Sequence, residues 1–177
     1  MDYDEPPVYI FLNGVFHPPP DLIFPKDNAH VIAVDGGAVH CLCLGWPIHL
    51  LLGDFDSLNN ELLDLIVKRN PNIDIRRFNR DKDESDFELA LRIIDPQNLG
   101  RRQVIILGGL GGRWDMTIAN LLLPLAANFK LLHRLPRPEI VFRDGAWDMY
   151  LLNGPSQLIL KPSVGVRRVS LLPLREK

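Results

Sequence analysis

Short, wholly apolar runs alternate along the chain with longer stretches whose apolar positions recur every three or four residues. Val8-Tyr9-Ile10-Phe11-Leu12, Val31-Ile32-Ala33-Val34, His49-Leu50-Leu51-Leu52 and Val104-Ile105-Ile106-Leu107 have the length and uniform apolarity of strands buried on both faces. Ile73 to Phe78 alternates with period two and suits a less buried strand. Residues 38–44, 59–70, 85–94 and 116–127 carry helical periodicity, the last interrupted late by Pro124. Strands of this kind separated by helices predict an α/β fold: a mostly parallel, Rossmann-like sheet covered by helices on both faces.

The pattern changes near residue 134. Arg134-Leu135-Pro136-Arg137-Pro138 has the composition of a boundary, and residues 139–143, 147–152, 157–160 and 169–172 read as short strands separated by turn signals such as Asp144-Gly145 and Asn153-Gly154-Pro155. The expected division is an α/β nucleotide-binding catalytic domain over 1–135 and a partial β-sandwich-type domain over 136–177. About forty residues of β-structure is small for an independent fold. The second unit is expected to lean on the first, to lean on a partner chain, or to be incomplete.

Composition narrows the function classes. A hydrophobic content of 46% and charged content of 24% suit a globular protein with a real core. The net charge of −2 offers no basic footprint for nucleic acid. No run approaches the ~20 apolar residues of a membrane span, and the acidic start, Met1-Asp2-Tyr3-Asp4-Glu5, lacks a secretory signal's basic and apolar regions. The expected location is the cytoplasm, without nucleic-acid or membrane partners. Cys41 and Cys43, two apart on a helix, face different ways, and the scattered histidines show no zinc-ligand spacing.

The chemistry lies in the acids. Asp35, Asp54 and Asp56 follow predicted strands, Asp115 follows the glycine loop after another, and Asp83 and Asp86 open the helix after strand 73–78. In an open parallel sheet those positions form the rim where ligands bind. A single Asp at such a turn is most often a helix cap; a converging set is a charge problem. Two carboxylates ~4 Å apart repel by roughly 4 kcal/mol at an effective dielectric of about 20, and a Mg²⁺ ion carrying phosphate relieves that repulsion. Ser85 and Glu88 fit a capping box, which leaves Asp86 either as a first-turn anion on the helix dipole or as a group facing the site. Gly108-Gly109-Leu110-Gly111-Gly112-Arg113 is neither a Walker A loop nor GxGxxG. It supplies close backbone approach, N–H groups and a guanidinium fork, all suited to phosphate. Lys82 is a second cation beside the acids.

Three linked segments, Gly53-Asp54-Phe55-Asp56-Ser57, Asp81 to Leu91, and Gly108 to Asp115 followed by Ile118-Ala119-Asn120, strongly resemble the thiamine pyrophosphokinase family over roughly residues 8–130. Val34-Asp35-Gly36-Gly37-Ala38 is similar to that family's second-strand motif. The resemblance implies Mg²⁺-dependent transfer of pyrophosphate from ATP to the hydroxyl of thiamine, giving thiamine diphosphate and AMP. It also implies a homodimer with sites at the subunit interface. Carried over by position, Asp54, Asp56 and Asp86 would hold magnesium and Asp115 would complete the catalytic acids. Asp35, Gly36, Lys82, Gly111, Gly112 and Arg113 would serve the nucleotide and its phosphates. Two departures stand out. Met116 occupies the place where many relatives have a histidine. Only Arg175-Glu176-Lys177 follow the stretch resembling the family's Val169–Leu174, where its C-terminal domain normally continues with strands that help bind thiamine. Two alternatives stay open: a nucleotide- or thiamine-binding module without turnover, and a pyrophosphokinase for another alcohol.

Overall fold

The computed structural model describes residues 6–25, 28–94, 103–125, 138–152, 157–159 and 168–173. Its elements run β1 (Val8–Phe11), β2 (His30–Val34), α1 (Gly37–Leu44), β3 (Leu50–Gly53), α2 (Asn60–Arg69), β4 (Asp74–Arg77), α3 (Asp86–Ile93), β5 (Gln103–Leu107), α4 (Trp114–Leu122), a 3-10 turn (Leu123–Leu125), β6 (Glu139–Asp144) and β7 (Trp147–Leu151). The strands form one seven-stranded sheet in the order β4-β3-β2-β1-β5-β6-β7. Neighbouring strands from β4 through β6 are parallel, and β7 runs antiparallel to β6.

The alternation along each strand builds two cores. Ile10, Ile32, Leu52, Ile106 and Phe142 point to one face, where Phe87, Ala90 and Leu91 of α3 cover them and Leu121 of α4 packs alongside. Phe11, Val31, Leu51, Leu107 and Val141 point to the other, beneath Ala38 and Cys41 of α1 and Ile66 of α2. Each fully buried Leu, Ile, Val or Phe among them contributes about 1.5–3 kcal/mol. The α/β expectation is met, with helices on both faces. As its period-two pattern predicts, β4 is an exposed edge strand.

Local signals set the helix ends. Asn59 caps α2 by accepting from the Leu62 amide at 2.8 Å. The amides of Gly45 and Trp46 close the carboxyl end of α1 on Leu42 and Cys41, with Gly45 in the left-handed region at φ +68°. The fourth helix begins at Trp114, two residues earlier than its periodicity predicts, and becomes 3-10 at Leu123–Leu125, where Pro124 lacks an amide proton to continue it. Its expected last residues, 126 and 127, lie outside the described residues.

β6 and β7, which the turn signals place in the second β unit, extend the same sheet as β1 to β5. Ile140, Val141 and Phe142 are completely buried against β5 and the flanking layers. The described residues 157–159 and 168–173 contain no strand, and residue 160 lies outside the described set. Among the described residues no helix is long and apolar enough to cross a membrane.

Candidate active site

Because β1 to β6 are parallel, their carboxyl ends share one rim. Strand order reverses direction beside β1, which puts the switch point between β1 and β5. There the chain leaving β1 meets the glycine loop leaving β5: the Gly14 amide donates to Gly108 O at 2.9 Å.

Asp35 leaves β2 in the left-handed region at φ +49° and is only 8% exposed. Its Oδ2 accepts from the Ser57 hydroxyl at 2.6 Å and, at 3.5 Å, from the Asn13 amide. Its Oδ1 is buried without a hydrogen-bond partner. Gly36 is dictated by this arrangement: a Cβ there would stand 2.1 Å from Asn13 Oδ1 and 2.8 Å from Ser57 Oγ. Burial pushes the Asp35 carboxyl above the usual carboxylate range. Hydrogen bonds from Ser57 and the Gly36 backbone oppose that rise, and the charges of Asp54 and Asp56 add to it.

Asp54 and Asp56 follow β3 in a tight turn, with the Asp56 amide donating to Asp54 Oδ1 at 3.0 Å. Phe55 between them is buried at φ +64°, an uncommon conformation for a bulky residue, and Arg77 lies over its ring at 5.0 Å. Carboxylate oxygens of Asp35, Asp54 and Asp56 all lie within 4.8 Å of one another. An ion with oxygen bonds of about 2.0–2.6 Å bridges oxygens at such a separation. A hard, all-carboxylate donor set with one buried, unpartnered oxygen fits a divalent cation of the Mg²⁺ type. Arg80, after β4, reaches Asp56 Oδ2 at 3.2 Å from the exposed side.

The other expected site residues lie along the same rim in separate pairs. Asp86 is in the first turn of α3, behind the Ser85 cap that accepts from the Glu88 amide at 3.2 Å; Glu88 itself turns to Arg92. Lys82 Nζ stands 2.8 Å from Asp86 Oδ1, an ion pair rather than an aligned hydrogen bond. The same ammonium donates to Asn79 O at 3.2 Å and lies 5.9 Å from the Phe78 ring centre. Lys82 is therefore mostly buried and engaged, not a solvated lysine. Asp115 opens α4 and pairs with Arg113 through Nε at 3.2 Å and through Nη2. That contact holds the exposed Asp115 carboxyl below its ordinary range.

The glycine loop is shaped from α4. Gly111 N–H donates to Thr117 Oγ1 at 3.0 Å, and Asn120 Nδ2 donates to Gly109 O at 3.0 Å. The Gly111 amide, expected to face phosphate, is thus spoken for. Gly112 is exposed beside it, and a Cβ on Gly112 would meet Val15 at 3.2 Å. Sequence reasoning missed Asn13 and Thr117; a polar residue just after β1 and a hydroxyl four residues beyond Arg113 were the available signals. A shallow cleft lined by Phe24, Leu42, Trp46, Pro47 and Arg69 lies near the amino end of β3 and includes none of these acids.

Fold and site together define an α/β protein with a carboxylate cluster and a glycine loop on the carboxyl rim of a parallel sheet. The model of the thiamin pyrophosphokinase catalytic domain matches residues 24–133, and the chain belongs to that family. Among solved structures, a thiamin pyrophosphokinase family protein from Enterococcus faecalis is 28% identical at a TM-score of 0.60, with 76% of this chain and 60% of that one covered. Thiamine pyrophosphokinase from Bacillus subtilis is similar in fold, at 24% identity and a TM-score of 0.57, covering 77% of this chain and 60% of its own. Thiamin pyrophosphokinase from Candida albicans, at 16% identity, shares the fold with a TM-score of 0.56 over 78% of this chain and 58% of its own. The chain spans about three fifths of the length of these relatives.

Proposed function

We propose that the chain transfers pyrophosphate from ATP to the hydroxyl of thiamine, giving thiamine diphosphate and AMP. The bond between the α- and β-phosphates breaks, a bond forms from the thiamine oxygen to the β-phosphorus, and the hydroxyl proton is released. One observation carries the proposal: the unpartnered, buried Asp35 oxygen beside Asp54 and Asp56, on the rim where a parallel sheet binds ligands. Family membership supplies the reaction class.

Asp35, Asp54 and Asp56 would hold Mg²⁺, which when bound neutralises charge on the phosphate oxygens. Ser57 and Asn13 orient Asp35. Arg113 presents its fork to phosphate, and Asp115, kept ionised by Arg113, aims it rather than accepting a proton. Lys82 is the second phosphate cation. Drawing Lys82 toward phosphate frees Asp86, either as the further metal ligand its motif implies or as acceptor of the thiamine proton. Gly36 and Gly112 keep side chains out of the space the nucleotide needs. Thiamine binding and the homodimer belong to the same proposal. The dimer is supported by Trp114, Ile118 and Leu122, which form an exposed apolar stripe at four-residue spacing on α4.

AMP release from Mg-ATP, measured with and without thiamine, tests the proposal. Thiamine-dependent AMP is expected from the wild type, and Asp54→Asn is expected to abolish it with the circular dichroism unchanged. Full activity in Asp54→Asn would remove the metal assignment. A binding module without turnover is the second reading: Mg-ATP bound, with no AMP formed from any alcohol, would select it.

A further inference from the structure

Three carboxylates meet at the ends of β2 and β3, and among the described residues one cation touches them. Arg80 Nη2 lies 3.2 Å from Asp56 Oδ2. The other basic side chains of the rim are committed elsewhere: Lys82 to Asp86, Arg113 to Asp115, Arg76 to Asp74, and Arg77 to the face of Phe55. Arg80 engages the outer acid and leaves the inner one unanswered, since Asp35 Oδ1 is buried without a partner. A guanidinium is too large and too directional to follow a carboxylate into that recess, whereas a small hard cation binds oxygens from several directions.

The two cations therefore contend for one residue. A divalent ion that draws together the carboxylates of Asp35, Asp54 and Asp56, each of which places one oxygen within 4.8 Å of the others, meets an Asp56 already held by Arg80. Full positive charge within contact distance of the cluster also repels an incoming ion directly. Both effects act before any nucleotide arrives.

We propose that Arg80 is a built-in counter-ion of the carboxylate cluster, which a divalent cation must displace from Asp56, so that Arg80 sets the cation concentration at which the site fills. This rests on the metal-binding part of the proposed function. Arg80 is 76% exposed and Asp56 47%, so solvent screens the pair and its effect is modest. An exposed pair of this kind corresponds to about a two- to five-fold change in an equilibrium constant.

The test uses the full chain without nucleotide and Mn²⁺ as the probe, with free Mn²⁺ followed by electron paramagnetic resonance. Arg80→Gln is expected to bind Mn²⁺ about two- to five-fold more tightly than the wild type at low ionic strength. Arg80→Lys, which keeps the charge, is expected to stay near the wild type, and the gain in Arg80→Gln is expected to shrink at about 1 M salt, where the Debye length falls to ~3 Å. Equal or weaker binding by Arg80→Gln, an equal gain in Arg80→Lys, or no Mn²⁺ binding in either protein overturns the proposal. The catalytic reading fails separately: absence of thiamine-dependent AMP alongside the expected Mn²⁺ series would discard the reaction and keep the role of Arg80.

Discussion

Asp35 shows how one residue ties stability to binding. Its carboxyl is buried and beside two like charges, so its folded pKa lies above the ordinary aspartate value of 3.8. For an acid raised in this way, the folded state holds the proton over a pH range in which the unfolded state has lost it. Stability then falls as pH rises through the interval between the two values, and the penalty is complete above the folded pKa. Without divalent cation, Asp35→Asn is therefore expected to be more stable than the wild type at pH 7, and to lose that advantage as the pH is lowered toward 3.8. Thermal melts across that range check the sign. Added Mg²⁺ is expected to raise the melting temperature of the wild type and to leave Asp35→Asn nearly unmoved, since only a state with a formed site gains from the ligand. A variant that melts lower than the wild type at pH 7 without metal would contradict the burial argument.

At the scale of elements, the junction of β1 with β5 holds the two halves of the rim in register. A Cβ on Gly14 would lie 2.3 Å from Gly108 O, and the hydrogen bond between those two residues closes the gap. His40 of α1 adds a tie, its Nε2 standing 3.0 Å from Gly14 O. Gly14→Ala must push the loops apart and is expected to cost about 1–3 kcal/mol, the usual range for overpacking a close contact. Urea unfolding measures it. An unchanged midpoint would show that the loops yield freely. Most of these elements were legible in advance, because apolar runs, caps and Pro124 act locally. The start of α4 was not: Trp114 is 78% exposed and Asp115 is polar, so neither marks an apolar helical face.

For the whole molecule, the sheet reaches farther along the chain than the turn signals suggested. β6 lies between β5 and β7, and Phe142 is fully buried against Phe87, with ring centres 6.3 Å apart. Phe142→Ala is expected to lose about 3–5 kcal/mol. A chain ended at residue 135 would leave β5 as an open edge beside apolar faces that β6 and β7 now cover, and no cooperative thermal transition is expected from it. A sharp, reversible transition in that fragment would show that the first five strands stand alone.

Sequence alone determined the order and type of most elements and the placement of the acids at strand ends, because apolar periodicity and turn chemistry are properties of neighbours along the chain. It also carried the family motifs. Only the tertiary structure decided which acids meet. Asp35 joins Asp54 and Asp56 because β2 lies beside β3, whereas Asp86 and Asp115 turn to Lys82 and Arg113, cations close to them along the chain. It likewise decided that residues 139–151 belong to the same sheet. The periodicity of a strand names the faces it buries, while the strand it pairs with is chosen by contacts across the whole fold.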